Sequence, residues 1–311
     1  MTVRIVTDST SDLSPQAAEE LGITVVPVYV RFGEKAYRDG VDISQDEFYQ
    51  QLVQSPVHPF TSQPSPSDFA RVYSELSKET DKVVSIHLSS KVSGTYDSAL
   101  RGRELAQAKC HIEVIDSLSV SMGLGLIAMA AARLAKMGEG LHEVMNEVGQ
   151  AISGTRIFGL LDTLKYLLLG GRIGKVKALL GTLLNVKPLL TMRNGELSPI
   201  GMVRTRAKGI ERLLDFIKDA LSIQELAIVH STTPDEASSL RERLGSFFPQ
   251  KRIHVSRLGP ALGVHGGPGT LLLAFREKAS DLKQELTKAE RPNKAFSLPS
   301  LRMPKPRLPH H

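Results

Sequence analysis

Three short segments concentrate hydroxyl and carboxyl side chains: Asp8-Ser9-Thr10-Ser11-Asp12, Ser89-Ser90-Lys91-Val92-Ser93-Gly94-Thr95-Tyr96 and Asp116-Ser117-Leu118-Ser119-Val120-Ser121. A fourth, Thr61-Ser62-Gln63-Pro64, precedes a helical pattern and can join them. Hydroxyls and backbone amides at a loop-to-helix junction hold small anions, and Ser93-Gly94 stands at such a junction. The same placement suits an ordinary helix cap, and Asp8 and Asp116 suit loop-backbone bonds better than acid–base work. The other chemical segment is His265-Gly266-Gly267-Pro268-Gly269. Its glycines and proline are expected to lead tightly into a last helix from about Pro268, with His265 just before the positive end of the dipole. A carboxylate, a phosphate or a carbonyl oxygen suits that position. A lone histidine more often packs or caps, but glycines let a ligand approach the backbone.

Other chemistries lack their residues. Gly123-Leu124-Gly125-Leu126-Ile127-Ala128 matches a dinucleotide pattern, but Ser117–Met122 separates it from its strand and no acidic residue ends a strand ~20 positions on, so it reads as helix packing. No phosphate-binding P-loop, nucleophile elbow or zinc-protease helix motif occurs. His87, His111, His142 and His254 lack paired ligand spacing, and the single cysteine, Cys110, supports neither a disulfide framework nor a Cys-based zinc site; no metal is expected. No nucleophile, general base and orienting acid occur together, so no catalytic residue is assigned. The set suits gripping an oxygen-rich headgroup without transforming it. Leu124–Leu134, Ile157–Leu169 and Leu179–Leu190 can line a deep cavity, although ordinary core is the simpler reading.

The elements that must position these groups fall into two rhythms. Strands are expected at Val3–Thr7, Ile23–Val30, Val83–Leu88 and Ile112–Ile115, separated by helices from Ser14-Pro15 to Leu21, from Ser44 to about Gln54, and from Ser65. Strand–helix alternation predicts a parallel sheet with right-handed crossovers, and ligands bind beyond the carboxyl ends of such strands. After a boundary near Gly149–Gly154 the pattern changes. Arg156–Leu161 reads as extended, Thr163–Leu169 and Val176–Leu183 as helical, and Pro188–Met192 with Leu197–Val203 as a hairpin across Asn194-Gly195. A helix over Thr205–Leu221 places Ile210, Leu213, Leu214, Ile217 and Leu221 on one face. Leu226–His230, a helix at Pro234–Phe247 and Ile253–Leu258 follow. The expectation is an α/β chain of two domains: a parallel sheet with flanking helices over 1–152, and a mixed sheet with helices over 153–280. Residues 281–311 read as a helix end and a flexible, basic, proline-rich tail.

Of 311 residues, 41% are hydrophobic and 23% charged, which excludes wholesale disorder and fibrous classes. Of the formal charge of +6, five charges belong to Arg291, Lys294, Arg302, Lys305 and Arg307, so residues 1–290 carry only +1. A nearly neutral body is a poor phosphate-tracking surface, so no nucleic-acid partner is expected. No apolar run reaches the ~18–20 residues of a membrane span, and the start of the chain lacks secretory-signal features. The expected location is the cytoplasm.

Thr7 to Leu13, Thr61 to Pro64, Leu88 to Tyr96, Gly170-Gly171-Arg172-Ile173 and His265 to Gly269 together resemble the DegV family in order and spacing, over residues 1 to about 280. That family includes the fatty-acid-binding subunits of bacterial fatty acid kinase. The resemblance implies a two-domain α/β fold whose N-terminal domain is like that of dihydroxyacetone kinase, no cofactor, and a long-chain fatty acid held between the domains. Thr61, Ser93 and His265 look like the carboxylate-holding residues, with Gly94, Gly266, Asp8 and Ser9 beside them. The implied role is to present the carboxylate to a separate ATP-dependent kinase. The acyl phosphate would then pass to an acyl-phosphate-using acyltransferase and on to phospholipid synthesis, with transient membrane contact. Arg172, Arg204 and Arg206 are candidate contacts for the kinase. The alternative is a subunit binding a small ketone such as dihydroxyacetone through His265. Residues 266–269 lack the bulkier residue many relatives carry before Gly267, and the tail lies outside the family pattern.

Overall fold

The computed structural model describes residues 3–179, 186–220 and 222–278. The chain opens with β1 (Arg4–Asp8), a 3-10 turn (Ser9–Ser11) and α1 (Pro15–Leu21), which Ser14 caps by accepting from the Ala17 N–H. The expected strand Ile23–Val30 is two strands, β2 (Ile23–Val26) and β3 (Tyr29–Phe32), in different sheets. Pro27 lies between them and has no N–H to continue a ladder. β3, β4 (Lys35–Arg38) and β5 (Phe60–Ser62) form a small antiparallel sheet, and its β4 falls in the stretch before Ser44 that reads as loop from sequence. The helices α2 (Gln45–Gln54) and α3 (Pro66–Leu76) start at full capping boxes, Ser44 with Glu47 and Ser65 with Asp68. Next come β6 (Lys82–His87), α4 (Thr95–Leu105), β7 (His111–Asp116), α5 (Ser121–Lys136) and α6 (Leu141–Gly154). The order β2-β1-β6-β7, parallel throughout, gives the expected sheet.

The second half contains β8 (Thr155–Leu160), α7 (Lys165–Leu169), a 3-10 turn (Gly174–Leu179), β9 (Lys187–Arg193) and β10 (Glu196–Val203). It continues with α8 (Arg206–Lys218), β11 (Ile223–His230), α9 (Pro234–Gly245), β12 (Ile253–Arg257), α10 (Pro260–Gly266) and β13 (Leu271–Glu277). Its sheet has the order β10-β9-β8-β13-β11-β12, with only β11 and β12 parallel. The β9–β10 hairpin turns at Asn194 (φ 51°) and Gly195 (φ 80°), as the Asn-Gly pair predicts. The expected helix at Val176–Leu183 starts as the 3-10 turn, and 180–183 lie outside the described residues, as do Leu221 and the tail. The last helix expected from Pro268 is instead the central strand β13, and the helix precedes it as α10.

The helix α5 joins the halves. Its residues Ser121–Ala132 are all buried, because it packs on β1, β2 and β6 on one side and on β8, β11 and β13 on the other. A helix apolar on every face needs such a sandwiched place. Burying Leu124, Leu126 and Ile127 contributes roughly 1.5–3 kcal/mol each. The glycine pair serves packing: a Cβ on Gly125 would lie 2.7 Å from the Ser11 carbonyl oxygen.

Candidate ligand-binding site

A cavity opens between the two halves. The N-terminal half contributes Thr10, Thr61, Leu88, Val92, Ser93 and Val120 to its wall. Across from them stand Ile157 and Gly159 of β8, Leu190 and Met192 of β9, Leu272 of β13, and Leu258, Ala261, Leu262 and His265 around α10. The lining is mostly aliphatic with a few polar groups, the usual make-up of a small-molecule site.

Fold and residue chemistry explain where the polar groups stand. Thr61 sits in the edge strand β5, beside α10, and its hydroxyl lies 3.2 Å from Nε2 of His265. Ser93 is the last side chain before α4, whose N-cap is Gly94. The Ser93 hydroxyl pairs with the Thr95 hydroxyl at 2.9 Å and accepts from the Thr95 N–H at 3.3 Å, so it does serve the local turn while also facing the cavity. Gly94 permits the close approach of Gln63, whose side chain a Cβ would meet at 2.9 Å.

His265 is in the last turn of α10, which corrects the expected position before a helix N-terminus. The reason lies in Gly267, with φ 74° and ψ −178°, a conformation that ends α10 and that only glycine adopts readily. A Cβ there would also stand 2.1 Å from the Tyr166 ring. The helix dipole at His265 is therefore negative and does not attract an anion. Anion recognition rests on side chains instead. Gly170 makes room for the imidazole, since a Cβ there would be 2.2 Å from its Nδ1. That Nδ1 is out of water and without a partner among the described residues. Burial, with the positive charges of Arg172 and His58 nearby, pushes the His265 pKa down to about 3, so the ring is neutral at pH 7. With Nδ1 packed against Gly170, Nε2, beside the Thr61 hydroxyl, is the ring nitrogen on the Thr61 side of the site.

The structure brings Thr61, Ser93, His265, Gly266 and Arg172 to the lining of one cavity. Asp8, Ser9 and Gly94 stand outside that lining. Asp8 is fully buried and accepts from the Thr10 hydroxyl (2.5 Å), the Thr10 N–H (3.1 Å) and the Leu88 N–H (3.1 Å), and its other contact is His87 Nδ1 at 3.0 Å. Ser9 donates to Asp39 and accepts from the Val28 N–H. Among the three arginines, Arg172 is exposed at the cavity and bonds the Gly170 carbonyl, and Arg204 is exposed. Arg206 is drawn inward: it pairs with Glu236 at 2.7 Å and Asp162 at 3.1 Å, and it donates to the Gly269 carbonyl. Its charge is thus committed within the fold. Thr10 and Thr270 also line the cavity, though not singled out from sequence; the Thr270 hydroxyl is buried with no partner among the described residues. Thr10 lies within the hydroxyl-rich Asp8–Asp12 loop, whereas nothing in the sequence distinguishes Thr270. Among the described residues no three His, Cys, Asp or Glu side chains converge as a metal site, and no helix is long and apolar enough to cross a membrane.

An α/β chain with an all-parallel sheet, a mixed sheet and an apolar cavity between them matches known proteins along most of its length. The family described as "Uncharacterised protein, DegV family" matches residues 2–278, and the chain belongs to that family. A DegV domain-containing protein of Caldanaerobacter subterraneus is 37% identical over 279 residues, covering 89% of this chain and 99% of the relative. Among solved structures, a DegV family protein from Thermus thermophilus described by its fatty acid binding superposes with a TM-score of 0.82 at 36% identity, covering 89% of this chain and all of that one. DegV from Bacillus subtilis, described as a fatty acid binding protein, superposes with a TM-score of 0.82 at 31% identity over the same share of this chain.

Proposed function

We propose that this chain is a fatty-acid carrier: it holds a long-chain acid in the cavity, with the carboxylate at Thr61, Ser93 and His265 and the tail among the aliphatic side chains. The observation that carries this reading is the cavity itself, aliphatic along most of its wall with a neutral imidazole and two hydroxyls on it. The fatty acid binding described for the Thermus and Bacillus proteins supports the same ligand class. Burying a tail of ~15 methylenes at ~0.8 kcal/mol each contributes roughly 12 kcal/mol before ordering costs. Hydrogen bonds to a charged head add only ~1.5–3 kcal/mol each. The tail therefore sets affinity and the polar groups set orientation. A three-carbon polar ketone has no use for so aliphatic a wall.

No group on the wall combines nucleophile, base and orienting acid, so the carrier is non-catalytic and needs no cofactor. It acts in the cytoplasm and presents the carboxylate to a separate ATP-dependent kinase, which makes the acyl phosphate that an acyltransferase uses for phospholipid synthesis. Arg172, exposed beside the head end, and Arg204 are the basic groups proposed for the kinase contact. The test is solvent extraction of protein purified from cells, followed by mass spectrometry. A long-chain fatty acid at near one per chain is expected. A ligand-free extract together with no uptake of added palmitate overturns the reading.

A further inference from the structure

The wall that carries His265 is fastened at its other end by two buried carboxylates. Asp12 follows the 3-10 turn after β1, and Asp39 follows β4; they are only 6% and 4% exposed. Asp12 accepts from the Gly259 N–H at 2.8 Å and from the Ser121 hydroxyl at 2.5 Å. Asp39 accepts from the Ala261 N–H at 3.3 Å and from the Ser9 hydroxyl at 2.9 Å. Each acid thus joins a backbone N–H at the start of α10 to a hydroxyl of the N-terminal half. A Cβ on Gly259 would lie 3.0 Å from Oδ1 of Asp12 and 3.4 Å from Oδ1 of Asp39, so the pair clasps the backbone from two loops. Neighbouring bonds tie the same segment: the Tyr49 hydroxyl donates to the Leu258 carbonyl at 3.1 Å, and the Gln45 amide to the Arg257 carbonyl at 3.2 Å.

We propose that Asp12 and Asp39 are positioning residues of the acid-binding site, which hold the first turn of α10 and thereby set where His265, in its last turn, meets Thr61 and the cavity. The helix has only seven residues, so a shift at Gly259 is carried to His265 with little lost in between. Leu258, Ala261, Leu262 and Gly266 move with it, and all four line the cavity. Carboxylates without a cationic partner are costly inside a protein. Burial accordingly raises the pKa of Asp12 to about 8 and of Asp39 to about 7, against the pull of their hydrogen bonds. The facing groups are Asp8, bonded to His87; Tyr49, whose hydroxyl burial holds well above its usual range; and Arg257, paired with Asp46. As pH rises through 7–8 each carboxyl ionises: its bonds to the Gly259 or Ala261 N–H strengthen while repulsion between the two acids and from Asp8 grows, and the first turn of α10 shifts in response. His265 stays neutral throughout that interval, so it can report the change without titrating itself.

The ligand arm of this inference rests on the fatty-acid reading, and a ligand-free arm separates the two. In the full chain carrying 15N-labelled histidine, the His265 ring signals, followed from pH 6 to 9 without ligand, should inflect between pH 7 and 8. The inflection should vanish in the Asp12→Asn, Asp39→Asn double variant. In the ligand arm, Asp39→Ala should weaken palmitate binding about tenfold at pH 6, and Asp39→Asn, which keeps an acceptor, should restore most of it. Should the alanine variant unfold, Gly259→Ala replaces it, wedging the two carboxyls apart with both present. A flat His265 profile in the wild-type chain overturns the inference, as does an inflection that survives the double substitution or unchanged palmitate affinity in Asp39→Ala. Failure of the wild-type chain to bind palmitate at all instead counts against the fatty-acid reading and leaves the ring titration to decide this one.

Discussion

The two halves of the molecule give the cavity different things. The N-terminal half brings Thr10, Thr61 and Ser93, polar groups on loops and on an edge strand. The C-terminal half brings β8, β9 and β13, whose inward residues are almost all aliphatic, and the histidine on a short helix. Neither half alone makes a pocket that is apolar and polar-ended, and α10 is the place where they are locked together. The lesson is that ligand orientation rests on a few polar groups, drawn from both halves, and ligand affinity on the aliphatic wall, so each can be broken separately.

The largest effect is expected where both properties depend on one backbone position. Gly267→Ala forces a methyl group into a conformation suited to glycine and against the Tyr166 ring. Stability should fall by about 2–4 kcal/mol, read by urea unfolding. An unchanged denaturation midpoint would show that this turn is not what places His265.

The polar end comes next. His265→Ala and Ser93→Ala should each weaken binding of a long-chain acid by about 1.5–3 kcal/mol while leaving uptake of the matching alcohol nearly untouched. Calorimetry with the acid and the alcohol compares them directly. Equal losses for both ligands would move those residues from the head to the tail. Binding of the acid should also raise the His265 pKa above its depressed value, since a neighbouring carboxylate favours the imidazolium. A ring titration of the loaded chain checks the direction.

The apolar end is probed through the ligand. Shortening the acid by two methylenes should cost about 1.6 kcal/mol, roughly 15-fold in affinity. The same step should cost the same in Ser93→Ala, because head and tail are held by different side chains. A chain-length slope that changes in the head variant would couple what the comparison separates.

How far these contrasts were legible from residues alone follows the same physics. The β9–β10 turn was readable because Asn194 and Gly195 are among the few residues at ease with positive φ. Both capping boxes were readable because they are local hydrogen-bond exchanges. The strand β13 was not, because it is buried at the centre of a sheet, and a continuous apolar run such as Leu271–Phe275 lacks the alternation that separates strand from helix. The small sheet of β3, β4 and β5 was hidden by Pro27 and by short, largely exposed strands. At the site, hydroxyl-rich loops and a glycine-flanked histidine stand out by composition, so Thr61, Ser93 and His265 were visible. Asp39 was not: it meets Ala261 from 222 positions away, and nothing local marks it as buried.

The smallest effect expected is also the one that sets the two halves against each other by charge. Asp12 and Asp39, from the N-terminal half, are raised by burial, whereas Glu225 of β11 is lowered to about 2 because His254 and Arg133 outweigh its own burial. The signs are opposite. The raised acids bind protons in the folded chain that the unfolded chain has released, so stability should fall as pH rises from about 4 to about 8. Glu225 stays ionised in the folded chain where the unfolded chain would protonate, so its contribution is present above about 4.5 and lost as pH falls toward about 2. Maximum stability should therefore lie on the acid side of neutrality. Asp12→Asn should flatten only the alkaline limb of the melting profile, and Glu225→Gln only the acid limb, by on the order of 1 kcal/mol. Arg133 belongs to α5, so the acid limb also reports the contact between that helix and the C-terminal sheet. Crossed results, with Glu225→Gln acting on the alkaline side, would mean that the charge contrast between the halves is not what shapes the profile.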